Sequence, residues 1–230
     1  MPTKQNFAIF LDFDNTLIDN DSLKDIISSR IHAMCGDDVN RQFWDAYERA
    51  RLVNNVVDIP LAFHYMRHEL TDETAHNLWD AFWDAPYSSA IFPGTLEMLQ
   101  ELRQRYAFVG VVSDGDAVYQ PHKIDRSGVT RALDGLIKVF LHKQDHMDEL
   151  LRWAAANAYV MVDDKPDILA DFKQILPMMF VTAHVRQGHY ANSPRAIEPD
   201  VSLDAITDLL HVDIVELVDR ARRNSQQSKV

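Results

Sequence analysis

The stretch from Ile9 to Leu17 constrains this chain more than any other part of its sequence. An apolar run ends at Leu11, and the carboxylates of Asp12 and Asp14 follow it closely. Such a run is typical of a buried parallel strand, and ligands bind beyond the carboxyl ends of such strands. Two carboxylates this close repel each other unless a cation or a shared proton lies between them. The simpler interpretation is a turn in which Asp14 or Asn15 caps the next helix, and the rest of the chain decides between the two.

Three further apolar runs end in polar residues of the kind found in catalytic sites. Helical patterns separate these runs, and the alternation of strand and helix after Pro93 predicts an α/β fold with a doubly wound, Rossmann-like parallel sheet. All four runs then end at one edge of the sheet. The polar residues at these ends are Asp12 and Asp14 after the first run, Ser113-Asp114-Gly115 after the second, Lys143 after the third, and Asp163-Asp164 after the fourth.

The segment directly behind the acidic strand has a different pattern. From Asn20 to about Ala85 the sequence shows about four helical patterns and no strand-like alternation. We therefore predict an inserted all-helical cap domain at residues 20–85, and a core domain formed by residues 1–19 and 86–230. Because the insertion follows the first strand, we expect it to cover the carboxyl end of that strand as a lid.

Composition excludes several classes of partner. The chain has 230 residues, with 23 basic and 35 acidic side chains and a net charge of −12. This charge argues against nucleic acid or an anionic membrane as a partner, since both need basic patches. An anionic substrate then requires local positive charge or a metal. The N-terminal residues lack a secretory apolar segment and no run of about 18 apolar residues occurs, so we expect a cytoplasmic protein.

The clustered residues match the requirements of phosphoryl transfer. A carboxylate such as Asp12 acts as a nucleophile on phosphorus, and Asp14 is suited to protonate the leaving group and then deprotonate water. Asp12, Asp163 and Asp164 together offer the hard oxygen ligands that Mg²⁺ prefers. The predicted phosphate contacts are Ser113, Asp114, Gly115 and Lys143, with backbone N–H groups near Gly115 opening a helix whose N-terminus favours an anion.

These motifs, in this order, resemble those of the haloacid dehalogenase-like (HAD) hydrolase superfamily. Asp12-Phe13-Asp14-Asn15-Thr16 resembles its Asp-x-Asp-x-Thr signature, Val111-Val112-Ser113 its second motif, Lys143 its third, and Val162-Asp163-Asp164 its fourth. The resemblance extends from about Phe7 to Leu210. It implies a Rossmann-like core, a helical cap, Mg²⁺, a phosphoaspartate at Asp12, and a metal bond from the backbone carbonyl of Asp14.

Two assignments have competitors in the sequence. Asp167 competes with Asp164 as the second acid of the fourth motif, and we favour the adjacent pair Asp163-Asp164. Lys123 competes with Lys143 for the third motif. We favour Lys143 because it directly follows an apolar run, whereas Lys123 lies within a helical stretch.

The predicted function is therefore a Mg²⁺-dependent phosphatase that acts on a small phosphorylated metabolite, as a monomer or homodimer. A 2-haloacid dehalogenase is the first alternative, although the resemblance implies that true dehalogenases lack an aspartate at the place of Asp14 and the full metal site. A phosphomutase and a catalytically idle binding module are further alternatives. For the loop from Gln187 to Tyr190 we favour no functional role, and a contact with substrate or the lid is the alternative.

Overall fold

Six parallel strands form a single sheet in the computed structural model, which describes residues 4–177, 179–195 and 197–227. The strands are β1 (Gln5–Leu11), β2 (Tyr106–Asp114), β3 (Ile137–Phe140), β4 (Ala158–Asp163), β5 (Phe180–Val185) and β6 (Val201–Leu203). Their order across the sheet is β3-β2-β1-β4-β5-β6, and every neighbouring pair is parallel. The first strand is thus central, between the strands that carry the second and fourth motifs.

The described residues contain ten α-helices, of which the first four form the inserted segment and the others belong to the core. They are α1 (Asn20–Cys35), α2 (Asp37–Asn54), α3 (Ile59–Met66), α4 (Asp72–Trp83), α5 (Thr95–Arg105), α6 (Tyr119–Arg126), α7 (Val129–Ala132), α8 (Met147–Trp153), α9 (Pro166–Ile175) and α10 (Ile214–Gln227). Alternate residues of β1 face opposite sides, as the pleat of a strand requires. Ala8 and Phe10 pack with α8 and α9, whereas Ile9 and Leu11 belong to the larger core that includes α5, α6 and α10. The predicted fold class is confirmed.

The inserted segment is helical from Asn20 to Trp83, where α1 to α4 follow one another. The carboxylate of Asp19 caps α1 by accepting the Ser22 N–H at 2.9 Å, and the Thr71 hydroxyl caps α4. Gly36, at φ 87°, separates α1 from α2. The aromatic side chains of this segment are mainly its own core: the rings of Phe43 and Phe82 lie 4.7 Å apart.

The chain leaves the core and returns to it at adjacent points. The Asp19 N–H donates to the Ala90 carbonyl at 2.8 Å, and the Phe92 N–H donates to the Leu17 carbonyl at 3.1 Å. These two hydrogen bonds hold the segment that enters the inserted helices against the segment that leaves them. The division into domains at residues 19/20 and 85/86 stays a prediction. Within the part of the chain that the structure describes, no helix is long and apolar enough to cross a membrane.

Candidate active site

The register of the parallel strands places the predicted strand-end residues side by side at the carboxyl edge of the sheet. Leu11 pairs with Val111 on one side and with Val162 on the other, and the Asp12 N–H donates to the Val162 carbonyl at 2.9 Å. The next residues at this edge are therefore Asp12, the end of β2 with Ser113, and Asp163. Their side chains are buried, and so are those of Lys143 and Asp164.

Lys143 is the cation of this cluster. Its Nζ lies 2.5 Å from Oδ1 of Asp12 and 2.6 Å from Oδ2 of Asp163, and its side chain is 1% exposed. Burial alone lowers the pKa of this amine, but the Asp12 and Asp163 carboxylates outweigh burial and raise it. Lys143 therefore stays charged. Its backbone N–H donates to Oδ1 of Asp114 at 2.8 Å, which links the ends of β2 and β3.

Three buried carboxylates lie together here, and two of them, Asp12 and Asp163, contact Lys143. Oxygen atoms of Asp12, Asp163 and Asp164 lie within 4.8 Å of one another. Burial raises the pKa of Asp12 to about 7, even though Lys143 acts in the opposite direction. Burial and then the Asp163 charge raise the pKa of Asp164 to about 9. Three carboxylates exceed the positive charge of Lys143 and the neighbouring Lys165, so the cluster requires bound protons or a further cation.

Unpaired oxygen atoms give a direct test of whether a metal fits here. Among the described residues, Oδ2 of Asp12 and both side-chain oxygens of Asp164 are buried without a hydrogen-bond partner. Buried polar atoms in this state are rare in folded proteins. Three converging carboxylates with free oxygens are the donor set that Mg²⁺ takes, with waters or substrate oxygens completing its shell. The residues present fit the ion, and the exposed Asp167 lies outside the cluster.

Asp14 lies in a separate electrostatic environment, although only Phe13 separates it from Asp12. Its Oδ1 forms an ion pair with Nζ of Lys123, and its Oδ2 accepts from Nε2 of Gln120 at 2.9 Å. Burial raises the pKa of Asp14, but the Lys123 ammonium outweighs burial and lowers it below the usual value. Its carboxylate is not part of the acidic cluster among the described residues, and metal binding by its backbone carbonyl stays a prediction.

The second motif differs from the expectation in one detail. The helix that follows it begins at Tyr119 and not near Gly115, and the Gly115 N–H donates to the Phe140 carbonyl at 2.8 Å. A Cβ at Gly115 would lie 2.7 Å from Cβ of Gln120, so a close approach explains the glycine. The expected helix N-terminus at Gly115 is therefore wrong. The Ser113 hydroxyl lies 2.9 Å from Nε2 of Gln120.

The sequence analysis missed Gln120 and Lys165, and it set Lys123 aside. Gln120 and Lys123 both reach Asp14 from α6. The available signal was their separation by three residues, which places them on one helix face. Lys165 directly follows the acidic pair, where Asp12 and Asp163 raise its pKa against the effect of burial.

Several contacts join the inserted helices to α6 and to the loops around this sheet edge. Asn20 of α1 accepts from Lys123 at 2.7 Å, and the Ile59 N–H at the start of α3 lies 3.4 Å from Oδ2 of Asp116. The ring of Trp83 stacks on His122 with centroids 3.5 Å apart. The His189 N–H donates to Asp21 of α1 at 3.0 Å, so the 187–190 loop contacts the start of the inserted helices.

Solved structures with the same fold include one close relative. A haloacid dehalogenase-like hydrolase from Burkholderia xenovorans is 31% identical, with a TM-score of 0.84, over 93% of this chain and 99% of that one. A HAD-hydrolase from Bacillus subtilis, bound to magnesium, is 11% identical at a TM-score of 0.60, over 91% and 98% of the chains. A dehalogenase with an intermediate complex is 15% identical at 0.52, over 92% and 98%. No family model matches the chain, and no curated protein matches it.

Proposed function

We propose that this chain, which belongs to the haloacid dehalogenase-like hydrolases, is a Mg²⁺-dependent phosphatase acting on a small phosphomonoester. The observation that carries the proposal is the state of Asp12. One of its oxygens is held by Lys143 at 2.5 Å, while the other is buried without a partner beside Asp163 and Asp164. An anchored carboxylate with one free oxygen is suited to attack phosphorus.

Each chemical step has a group of this chain to perform it. In the first step, the free Asp12 oxygen bonds to phosphorus as the ester P–O bond breaks, and Asp14 gives its proton to the departing alkoxide. In the second step, water attacks phosphorus, Asp14 takes a proton from that water, and the bond to Asp12 breaks to release inorganic phosphate. Lys143 holds the Asp12 carboxylate in place and offsets its charge.

The two steps require positive charge at the phosphoryl oxygens and a different protonation state of Asp14 in each step. Asp12, Asp163 and Asp164 would hold Mg²⁺, which supplies positive charge to the phosphoryl oxygens when bound. Because Lys123 lowers the pKa of Asp14, this carboxyl is ionised in the free protein, which is the form that the second step uses. The first step requires that Asp14 bind a proton before the ester bond breaks.

Turnover of 4-nitrophenyl phosphate with Mg²⁺ and with EDTA tests this function. We expect Mg²⁺-dependent release of phosphate, and a loss of at least about 10³-fold in Asp12→Asn because the nucleophile is gone. Asp167→Asn is the matched control, since Asp167 is exposed and lies outside the acidic cluster. Full activity in Asp12→Asn would contradict the mechanism.

A dehalogenase is the alternative that the same preparation checks. Release of halide from a 2-halo acid that is insensitive to EDTA, without phosphatase activity, would replace the proposal. The acidic cluster favours phosphate chemistry, because halide displacement at carbon has no phosphoryl charge for a metal to offset.

A further inference from the structure

Two side chains of α6 hold the Asp14 carboxylate, one at each oxygen. Lys123 pairs with Oδ1, and Nε2 of Gln120 donates to Oδ2 at 2.9 Å. Residues three apart lie on the same face of a helix, so a single helix supplies both donors. A carboxylate bonded at both oxygens by one rigid element is fixed in its plane as well as in its position.

The same two side chains connect Asp14 to both sides of the site. Nε2 of Gln120 lies 2.9 Å from the Ser113 hydroxyl at the end of β2. Nζ of Lys123 donates to Oδ1 of Asn20, the first residue of α1, at 2.7 Å. The Asp14 carboxylate is therefore oriented relative to the sheet edge and to the start of the lid at once.

Burying the polar ends of Gln120 and Lys123 lowers the stability of the fold, so a functional reason for these two residues is expected. Gln120 is 4% exposed and Lys123 is 3% exposed, and burying an amide or an ammonium is unfavourable unless each is bonded. An apolar pair would fill the same space without polar groups. Proton transfer, in contrast, requires a carboxyl held within hydrogen-bond reach of the reacting oxygen.

We propose that Lys123 and Gln120 are positioning residues that act through Asp14, by fixing its carboxylate for proton transfer to the leaving group. This inference rests on the proposed phosphatase function, because the leaving alkoxide of a phosphomonoester is the group that needs the proton. Neither side chain is placed in contact with the phosphate.

Two substrates with different leaving groups test the inference. Phenyl phosphate needs proton donation more than 4-nitrophenyl phosphate does, and kcat/KM reports the steps up to formation of the phosphoaspartate. In Lys123→Met and Gln120→Leu we expect kcat/KM to fall about 10- to 100-fold for phenyl phosphate. For 4-nitrophenyl phosphate we expect a loss below about 5-fold. An equal loss for both substrates, or no loss, would overturn the inference.

Lys138→Met is the matched control for the loss of a lysine. Lys138 forms a partly exposed ion pair with Glu149, outside the site. We expect it to leave both substrates unchanged. A control that lowered phenyl phosphate turnover selectively would also overturn the inference.

A double variant separates action through Asp14 from a purely structural role. If Lys123 acts through Asp14, then Asp14→Asn with Lys123→Met loses no more than about twofold beyond Asp14→Asn alone. Multiplying losses would overturn the inference. The double variant removes both charges, so it avoids the unpaired, partly buried Asp14 carboxylate that Lys123→Met leaves. Melting midpoints of all variants check folding.

The outcome distinguishes this inference from the function on which it rests. A wild-type protein that turns over neither ester with Mg²⁺ overturns both. A wild-type protein that turns over both esters, with Asp12→Asn inactive and Lys123→Met equally weak on both substrates, overturns only the role of α6.

Discussion

Asp12 and Asp14 are separated by one residue, yet their surroundings drive their carboxyl groups in opposite directions. The pKa of Asp12 is raised to about 7, chiefly by burial, whereas Lys123 lowers the pKa of Asp14 against the effect of burial. The pKa values differ because Lys143 and Lys123 pair with different numbers of carboxylates. Lys143 contacts the carboxylates of both Asp12 and Asp163, while Asp14 is the one carboxylate with which Lys123 forms an ion pair among the described residues.

This contrast fits the two different chemical roles that we propose for Asp12 and Asp14. At Asp12 the three carboxylates exceed the positive charge of Lys143 and Lys165, so the site favours a further cation. At Asp14 the charges balance within one ion pair, and Gln120 completes the bonding. Environments that separate the pKa values of two neighbouring acids are a general way to divide nucleophilic and acid–base work.

Removing Lys143 is expected to have the largest effect on this contrast. In Lys143→Met the buried carboxylates of Asp12 and Asp163 lose their shared cation, and we expect the free energy of unfolding in EDTA to fall by about 3–5 kcal/mol. Urea denaturation measures this loss. Lys138→Met, which breaks a partly exposed pair, is expected to cost below about 1 kcal/mol. Equal costs for the two variants would show that the buried carboxylates do not depend on Lys143.

The pH dependence of stability is expected to separate the acidic cluster from Asp14. The folded-state pKa values of Asp12 and Asp164 are about 7 and about 9, above the unfolded value, so the native state binds more protons. The metal-free protein therefore loses stability as pH rises from 6 to 9, by on the order of a few kcal/mol, since each pKa unit corresponds to about 1.4 kcal/mol.

Thermal melting at pH 6 and pH 9, with Mg²⁺ and with EDTA, measures this dependence. We expect Mg²⁺ to raise the melting midpoint more at pH 9, where the carboxylates are ionised. Asp164→Asn is expected to flatten the pH dependence, because it removes the group with the higher pKa. A midpoint in EDTA that rises between pH 6 and pH 9 would contradict the assignment.

The smallest expected effect concerns the turn that carries Asp14. Gly188 has φ 65°, and a Cβ there would lie 2.5 Å from Cγ of Asn15, the residue after Asp14. We expect Gly188→Ala to cost about 1–3 kcal/mol and to lower kcat, because the turn must move. Chemical denaturation and turnover measure the two changes.

Gly135→Ala is the matched control for that substitution. Gly135 has a similar φ of 79°, but a Cβ there meets nothing within 4 Å. It carries the backbone strain without the clash, so the difference between the variants isolates the contact with Asn15. Equal stability and equal kcat in both variants would show that the 187–190 loop does not support the turn.

The sequence predicted much of this architecture because the pattern is one-dimensional. Apolar runs that end in polar residues predict parallel strands, and parallel strands bring their ends to one edge. Asp12, Ser113, Lys143 and Asp163 follow from that rule, and they lie together in the structure. The α1 to α4 insertion followed from helical periodicity in the same way.

What the sequence did not predict depends on how helices are rotated against the sheet. Lys123 was set aside because it lies within a helix, yet packing of α6 turns it and Gln120 toward Asp14. Periodicity gives a helix face but not which strand end that face meets. The position of Gly115 was misjudged for a related reason, since its N–H is taken by the end of β3.

By itself, then, the sequence determined the sheet, the inserted helices and the set of residues at the sheet edge. Only the tertiary structure decided how the charges are divided among them. Hydrophobic patterning and strand direction are local properties, readable along the chain. The pairing of charges depends on how distant segments pack. Lys143 is more than 100 residues from Asp12 in the sequence, and so is Lys123 from Asp14.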